Sequence, residues 1–264
     1  MIENFAFKTG KLPKLVDQRT LQLSTYLTSA APTPPASIDN GKAVEALEPW
    51  EMLGNDSVGD CTFAAQAHAD MLWVANSSGR RLPITTAQCL AAYSAVTGFD
   101  PSAGGPGENP TDRGASLLDA LKYWRKTGID KQTITAFAEV RLADQFRIRQ
   151  AIDLFGCVYI GVQLPDAVLP TSATGAFPTW TVTPDGSPAK AVNPQNGHAV
   201  IYCGYDTEGT TAVTWGATVR VSWGFHEAYC DEAYAMVAPG YFASGRDPQG
   251  LDMNQLRKDL SLVT

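Results

Sequence analysis

Two residues of this chain stand out for chemistry: a cysteine that follows a glycine-bearing turn, and a histidine that opens an apolar strand. Cys61 comes directly after LGNDSVGD, in which Gly54 and Gly59 permit tight turns, and Phe63, Ala67, Met71 and Val74 then recur at helical spacing. Cys61 is therefore expected in the first turn of a helix. A helix N-terminus offers partial positive charge and free N–H groups, both of which stabilise a thiolate. His198 follows Asn196-Gly197 and begins the apolar run HAVIYCGYD. A neighbouring imidazole can take the thiol proton and hold it as an ion pair. Sulfur attack on a carbonyl, with the imidazole shuttling the proton, is the chemistry this pair offers. The two lie 137 residues apart, so the fold has to bring them together.

The elements that would do so are legible in outline. The segment from Cys61 to about Ala75 reads as a helix, with Asp60 at its N-cap position. The Gly/Pro-rich stretch 100–114 reads as a loop that contains GGPG (104–107), where no lysine and helix start follow as in a phosphate-binding loop. A second helix carries Leu117, Leu118, Leu121 and Trp124 on one face and stops at Gly128. A third runs from about Leu142 to Phe155, with Ile148, Ala151, Ile152 and Phe155 on one face. The period then changes, and 157–163, 198–206, 211–216, 218–223 and 232–237 read as strands. Residues 164–197 are long and rich in turn formers, as in a functional loop. Residues 28–37 are Pro-rich and read as an extended surface connection, and a tail helix carries Met253, Leu256 and Leu260. Helices first and strands after imply an α+β fold with two lobes and a cleft between them. The divisions are an extended arm at 1–48, a helical lobe at 49–145, a β lobe at 146–245 and a tail at 246–264.

Composition narrows the function. The chain has 264 residues, 44% of them hydrophobic and 18% charged, which is the balance of a folded globular protein. Twenty basic against 27 acidic side chains give a net charge of −7, which argues against nucleic acid or an anionic membrane as the main partner. No apolar run reaches the roughly 18–20 residues of a membrane span, and the start shows no apolar core of a secretory signal. Five cysteines without a CxxC pair suit neither a disulfide scaffold nor a structural zinc site. Reduced thiols, a cytoplasmic location, and no metal or cofactor are the expectations. Cys157 and Cys203 read as packing residues. Cys89 and Cys230 read as ordinary thiols. His68 reads as structural or surface, and His226 as a solvated turn residue.

An ordered series of short motifs carries a resemblance. LPKLVDQR (12–19), GNDSVGDCTFAA (54–65), ALKYWRKTGI (120–129), AIDLFGCVYIGVQ (151–163), NGHAVIYCGYD (196–206), AVTWG (212–216) and YAMV (234–237) stand in the order of the corresponding papain-like peptidase segments. The cysteine-to-histidine separation also falls in the ~130–150 range of that class. The sequence thus resembles the papain-like cysteine peptidases from residue 12 to about 237. The combination GND, GDC and TWG is also similar to a papain-like group found in bacterial and phage genomes. The resemblance implies a papain-like two-lobed fold, Cys61 as nucleophile and His198 as general base. It implies Asn55 as oxyanion donor in place of the usual glutamine, helped by the Cys61 N–H. Trp215 matches the tryptophan that shields the histidine, and Thr214 matches the serine before it.

Two departures from that pattern bear on activity. The asparagine that orients the histidine falls on Val213, which cannot hydrogen-bond a ring; a shift by one makes Thr214 the orienting group. The mature-like start lies at Leu12, so no long inhibitory segment is expected before it. An uninhibited protease would then be selective, act outside the producing cell, or be inert. The leading reading is a thiol hydrolase, most simply a cysteine peptidase acting on a peptide or protein. The alternative is a retired peptidase fold with a binding or structural role, such as a phage virion component with assembly partners. Transglutamination, or amidase action on cell-wall peptides, ranks below both.

Overall fold

Residues 7–104, 109–169, 177–182, 193–242 and 250–262 are described in the structure, which is a computed structural model. Most of GGPG, much of the 164–197 stretch and the Leu260 side chain lie outside the described residues. In the first part, the single turns α1 (Leu23–Tyr26) and α2 (Lys42–Glu45) flank a short strand β1 (Ile38–Asp39). Next come α3 (Cys61–Ser78), α4 (Thr86–Thr97), α5 (Leu117–Lys126), β2 (Ala136–Glu139) and α6 (Gln145–Phe155). The second part holds β3 (Val158–Gln163), β4 (Gly197–Tyr205), β5 (Gly209–Thr214), β6 (Ala217–Ser222), α7 (Trp223–Tyr229) and β7 (Cys230–Val237). The chain then turns through α8 (Pro239–Phe242) into α9 (Met253–Leu262).

One antiparallel sheet runs in the order β2-β7-β3-β4-β5-β6, with β1 pairing the far end of β4. Sequence order and spatial order differ, because β7 returns from the end of the chain to pair with both β2 and β3. β3 and β4 are therefore interior strands, which explains their nearly unbroken apolar runs. Helix α3 packs against β4 and is buried along most of its length. A helix buried on most faces has little amphipathic contrast. Its C-terminus is closed by Gly79 in the left-handed conformation. The apolar interior divides in two. A large cluster joins the sheet to α3, α5 and α6, and a smaller one gathers Phe63, Tyr93, Phe99 and Ile129 beneath α4.

Several local readings change. The third helix begins at Gln145, because the Asp144 side chain accepts from the Arg147 N–H and caps it there. α4 and α7 were not expected; each starts on a side-chain cap, Thr85 for α4 and Ser222 for α7. β2 was not expected either, and it adds residues 136–139 to the sheet beside β7. His226 is not a solvated turn residue. It is buried within α7, and its Nε2 lies 3.0 Å from the Leu142 carbonyl oxygen. Desolvation holds its pKa below the ordinary histidine value, opposed by that backbone bond. His68 is structural: it is buried, with Nε2 2.7 Å from the Glu51 carbonyl oxygen. Cys157 and Cys203 are packing residues as expected, both buried in the large core.

Candidate active site

Cys61 occupies the first position of α3, as its spacing predicted. Asp60 stands at the N-cap, yet its carboxyl group does not cap the helix. The Cys89 thiol donates to Asp60 Oδ2 at 3.6 Å instead. Burial raises the Asp60 pKa well above the carboxylate range, against the opposing pull of the Cys89 bond. The first turn of α3 is tied to the sheet where the Tyr159 hydroxyl donates to the Thr62 carbonyl oxygen at 2.8 Å.

His198 lies at the start of β4, opposite Val162 of β3. Its Nε2 sits 2.6 Å from Thr214 Oγ1 at the end of β5. Trp215 stacks on the imidazole, with ring centroids 4.2 Å apart and an interplanar angle of 18°. Both contacts come from one turn. Thr214 pairs with Ala217 to close a two-residue hairpin, whose central residues are Trp215 at φ 45 and Gly216 at φ 72. Positive φ at both central positions suits the right-handed twist of a hairpin, but a bulky aromatic rarely adopts it. The strained residue is thus the one that covers the histidine. Val213 faces away into the core, so the shift by one is the arrangement observed: Thr214 is the group that contacts the ring. With the proton on Nε2, Thr214 accepts and Nδ1 presents a free lone pair. Nδ1 has no hydrogen-bond partner among the described residues.

Burial pushes the Cys61 thiol up to about 12, opposed by the backbone groups of Ala199, the residue after the histidine, and of Gly10. Burial also holds the His198 pKa down at about 3, with a smaller contribution from His68. Both residues are sealed, at 1% and 0% exposure. In this state the pair is a neutral thiol beside a neutral imidazole.

The cover over the pair is made by residues 7–12 of the same chain. Phe7 packs on Trp215 at 5.5 Å between ring centroids. The Lys8 carbonyl oxygen accepts from Asn55 Nδ2 at 3.2 Å and from Trp215 Nε1 at 3.0 Å. Gly10 and Lys11 N–H groups both donate to the carbonyl oxygen of Gly197, the residue before His198. On the other side, the Ala115 N–H donates to the Gly10 carbonyl and the Leu12 N–H donates to the Ala115 carbonyl, forming a parallel bridge. Residues 7–12 thus run between the helix-bearing and strand-bearing sides, bonded to both. The approach is so close that a Cβ on Gly10 would overlap the Gly59 carbonyl.

Asn55 stands six residues before the cysteine, and its amide donates to the Lys8 main-chain carbonyl. Its second amide hydrogen goes to Val58 O at 3.1 Å and fixes the loop, which carries Leu53 at φ 59 and Gly54 at φ 101. Sequence reasoning missed Asp112 and Tyr93. Asp112 accepts from the Gly59 N–H at 2.9 Å and from the Tyr93 hydroxyl at 2.6 Å, while that hydroxyl accepts from the Gly114 N–H at 2.8 Å. Together they hold both loops that line the helical side. Lys11, Asp231 and Glu232 were missed as well. No group of three or more metal-ligating side chains is arranged to hold an ion among the described residues, and no described helix is long and apolar enough to cross a membrane.

Comparison with known proteins bears on the fold. No family model and no curated protein matches the sequence. Solved structures do match. Xylellain, a cysteine protease from Xylella fastidiosa, aligns with a TM-score of 0.63 and 13% identity, over 90% of this chain and 98% of that one. The digestive procathepsin L 3 of Tenebrio molitor larval midgut aligns with a TM-score of 0.54 and 15% identity, over 89% of this chain and 77% of that one. Recombinant stem bromelain precursor gives 0.52 and 12%, over 89% and 78%. The chain has the papain-like cysteine-protease fold, a mixture of helices and antiparallel sheet.

Proposed function

We propose that this chain is a thiol hydrolase of the peptidase type, held latent by its own residues 7–12. The observation that carries the reading is the surroundings of His198: Thr214 at Nε2, the Trp215 indole on its face, an unpartnered Nδ1, and a Cys61 thiol whose pKa the backbone of the next residue, Ala199, lowers. These are the parts a thiol nucleophile and its base require. When residues 7–12 leave, water returns and the desolvation that favours the neutral pair is relieved. Cys61 then loses its proton to His198 Nδ1, and the thiolate adds to the substrate carbonyl carbon. The carbonyl oxygen becomes an oxyanion that accepts from Asn55 Nδ2 and the Cys61 N–H. His198 returns the proton to the leaving amine as the C–N bond breaks, giving an acyl-enzyme. Water then hydrolyses the thioester, and Cys61 regains its hydrogen.

Peptide or protein is the substrate class, because residues 7–12 lie in the cleft as an extended main chain bonded on both sides. The test is hydrolysis of a mixed peptide library by Gly10→Val, in which the added side chain collides with Gly59 and unseats the segment. Activity in that variant, absent from Gly10→Val combined with Cys61→Ala, supports the reading. No cleavage by Gly10→Val contradicts it. The sealed, uncharged pair also fits a second reading, a retired fold used for binding; that reading requires Cys61 to stay inert after the segment is unseated.

A further inference from the structure

The segment that crosses the cleft leaves one side chain deep in the protein. Lys11 has 0% side-chain exposure, and its Nζ lies 2.8 Å from Asp231 Oδ2 and 3.2 Å from Glu232 Oε1. It also donates to the Leu12 carbonyl at 3.1 Å. Gln163 Nε2 donates to the same Asp231 oxygen at 3.2 Å, and the Tyr234 hydroxyl donates to Glu232 Oε2 at 3.0 Å. Glu232 has 0% side-chain exposure. Its Oε1 makes no hydrogen bond among the described residues, although it faces the Lys11 ammonium. No other lysine or arginine pairs with either carboxylate among the described residues.

The wall of this pocket is shaped for the lysine stem. Gly161 sits mid-strand in β3, where a side chain would ordinarily strengthen the sheet. A Cβ there would overlap Lys11 Cε and approach Glu232 Cγ at 2.6 Å. The strand thus lacks a side chain where the lysine passes. The Lys11 N–H donates to the carbonyl oxygen of Gly197, the residue before His198, so the lysine enters the pocket from beside the candidate base. Its mouth is at Asp231, whose side chain keeps 29% exposure.

Two carboxylates in a buried slot are costly without a cation. Once residues 7–12 leave, the two carboxylates lack their cation and favour another in its place. We infer that the pocket formed by Gly161, Gln163, Asp231, Glu232 and Tyr234 is a specificity pocket for a lysine side chain in the substrate, and that Lys11 fills it in the resting state. The inference rests on the proposed hydrolase for its meaning as a substrate site. Lysine recognition itself is a binding property.

The experiment therefore reads binding and turnover separately. Binding uses the full chain with Gly10→Val, Lys11→Ala and Cys61→Ala, and the fluorescently labelled peptides Phe-Lys-Thr-Gly-Lys-Leu-Pro and its counterpart with norleucine in place of the second lysine. The lysine peptide is expected to bind at least about tenfold tighter. Asp231→Asn with Glu232→Gln is expected to collapse that preference. Equal affinity for the two peptides, or no binding of either, overturns the inference. Should the triple variant fail to fold, peptidyl electrophiles with lysine or norleucine at the matching position are compared on the Gly10→Val chain by their rate of Cys61 modification. A tenfold preference for lysine supports the pocket, and equal rates or no modification overturn it. Turnover of library peptides by Gly10→Val separates the two claims. Lysine-selective binding without turnover removes the hydrolase and keeps the pocket. Turnover without lysine selectivity does the reverse.

Discussion

Strands β4 and β5, which carry His198 and Thr214 and lead into Trp215, and the segment 7–12 that crosses them are held by different forces. Both strands belong to the sheet. Each is bonded on two edges, His198, Thr214 and Trp215 are buried, and the strained turn after β5 is fixed by the Thr214–Ala217 pair. The crossing segment makes a handful of main-chain bonds and seats one buried lysine against two carboxylates, and just beyond it Val16 is 84% exposed. Such a segment can open locally while the sheet stays folded. The difference separates two tasks: the sheet sets the geometry of the histidine, and the segment sets whether anything can reach it.

Breaking each side of this contrast gives graded effects. The largest is Cys61→Ala in a chain whose segment has been unseated: peptide turnover should fall to background in a discontinuous assay. Lys11→Ala comes next. It leaves Glu232 buried without its cation, which costs about 3–5 kcal/mol. Opening of the segment should then increase roughly 150- to 5,000-fold, read as the rate of Cys61 alkylation by iodoacetamide. A change below about tenfold would mean that the ion pair does not hold the segment.

Thr214→Val leaves the segment in place and removes the partner of His198 Nε2. A lost buried bond of about 1–3 kcal/mol should slow Cys61 alkylation in the Gly10→Val background roughly 5- to 150-fold. Thr214→Ser should restore most of it. If valine and serine behave alike, the hydroxyl does not orient the ring.

The smallest effect is on stability against pH. His198 has an ordinary pKa of 6.5 when unfolded and about 3 in the closed fold. Between those values the unfolded chain binds a proton that the folded chain does not, so this group's contribution falls as pH falls. The slope is at most about 1.4 kcal/mol per pH unit. Buried Asp60, Asp70 and Glu232 are shifted upward, so their effect runs the other way, weakening stability as pH rises. The clean comparison is therefore urea unfolding of the unaltered chain and His198→Gln at pH 7 and pH 5. The stability gap should shift toward the variant at pH 5, and a gap independent of pH would contradict a sealed, neutral imidazole.

The sequence was most readable where side-chain period matched burial. α5, α6 and the strands β3 to β7 follow from their apolar spacing, and Cys61 and His198 follow from their places at element starts. α4 was hidden because its apolar residues lie all round the helix, with Ala87, Ala91 and Ala95 exposed and Cys89, Ala92 and Tyr93 buried, so no face stands out. Its Thr85–Gln88 capping box was the signal available. α7 was hidden inside SWGFHEAYC, where Ser222 as N-cap was the clue. Thr214 was legible only as a shift by one, since register decides which of two neighbours faces the histidine. The crossing of the cleft by residues 7–12 was not legible. Main-chain bonds to Gly197 and Ala115 leave no side-chain signature, and a single lysine 220 positions from its acidic partner looks like any surface charge.

Competitive alkylation of the five cysteines, read by mass spectrometry, tests the central claim most directly. The unaltered chain, Gly10→Val, and Gly10→Val with His198→Ala are labelled with limiting iodoacetamide at pH 6. The account predicts that Cys61 is protected in the unaltered chain, is the fastest thiol in Gly10→Val, and loses that lead when His198 is removed. If Cys61 stays unlabelled in Gly10→Val, or labels equally with and without His198, residues 7–12 do not mask a working cysteine–histidine pair.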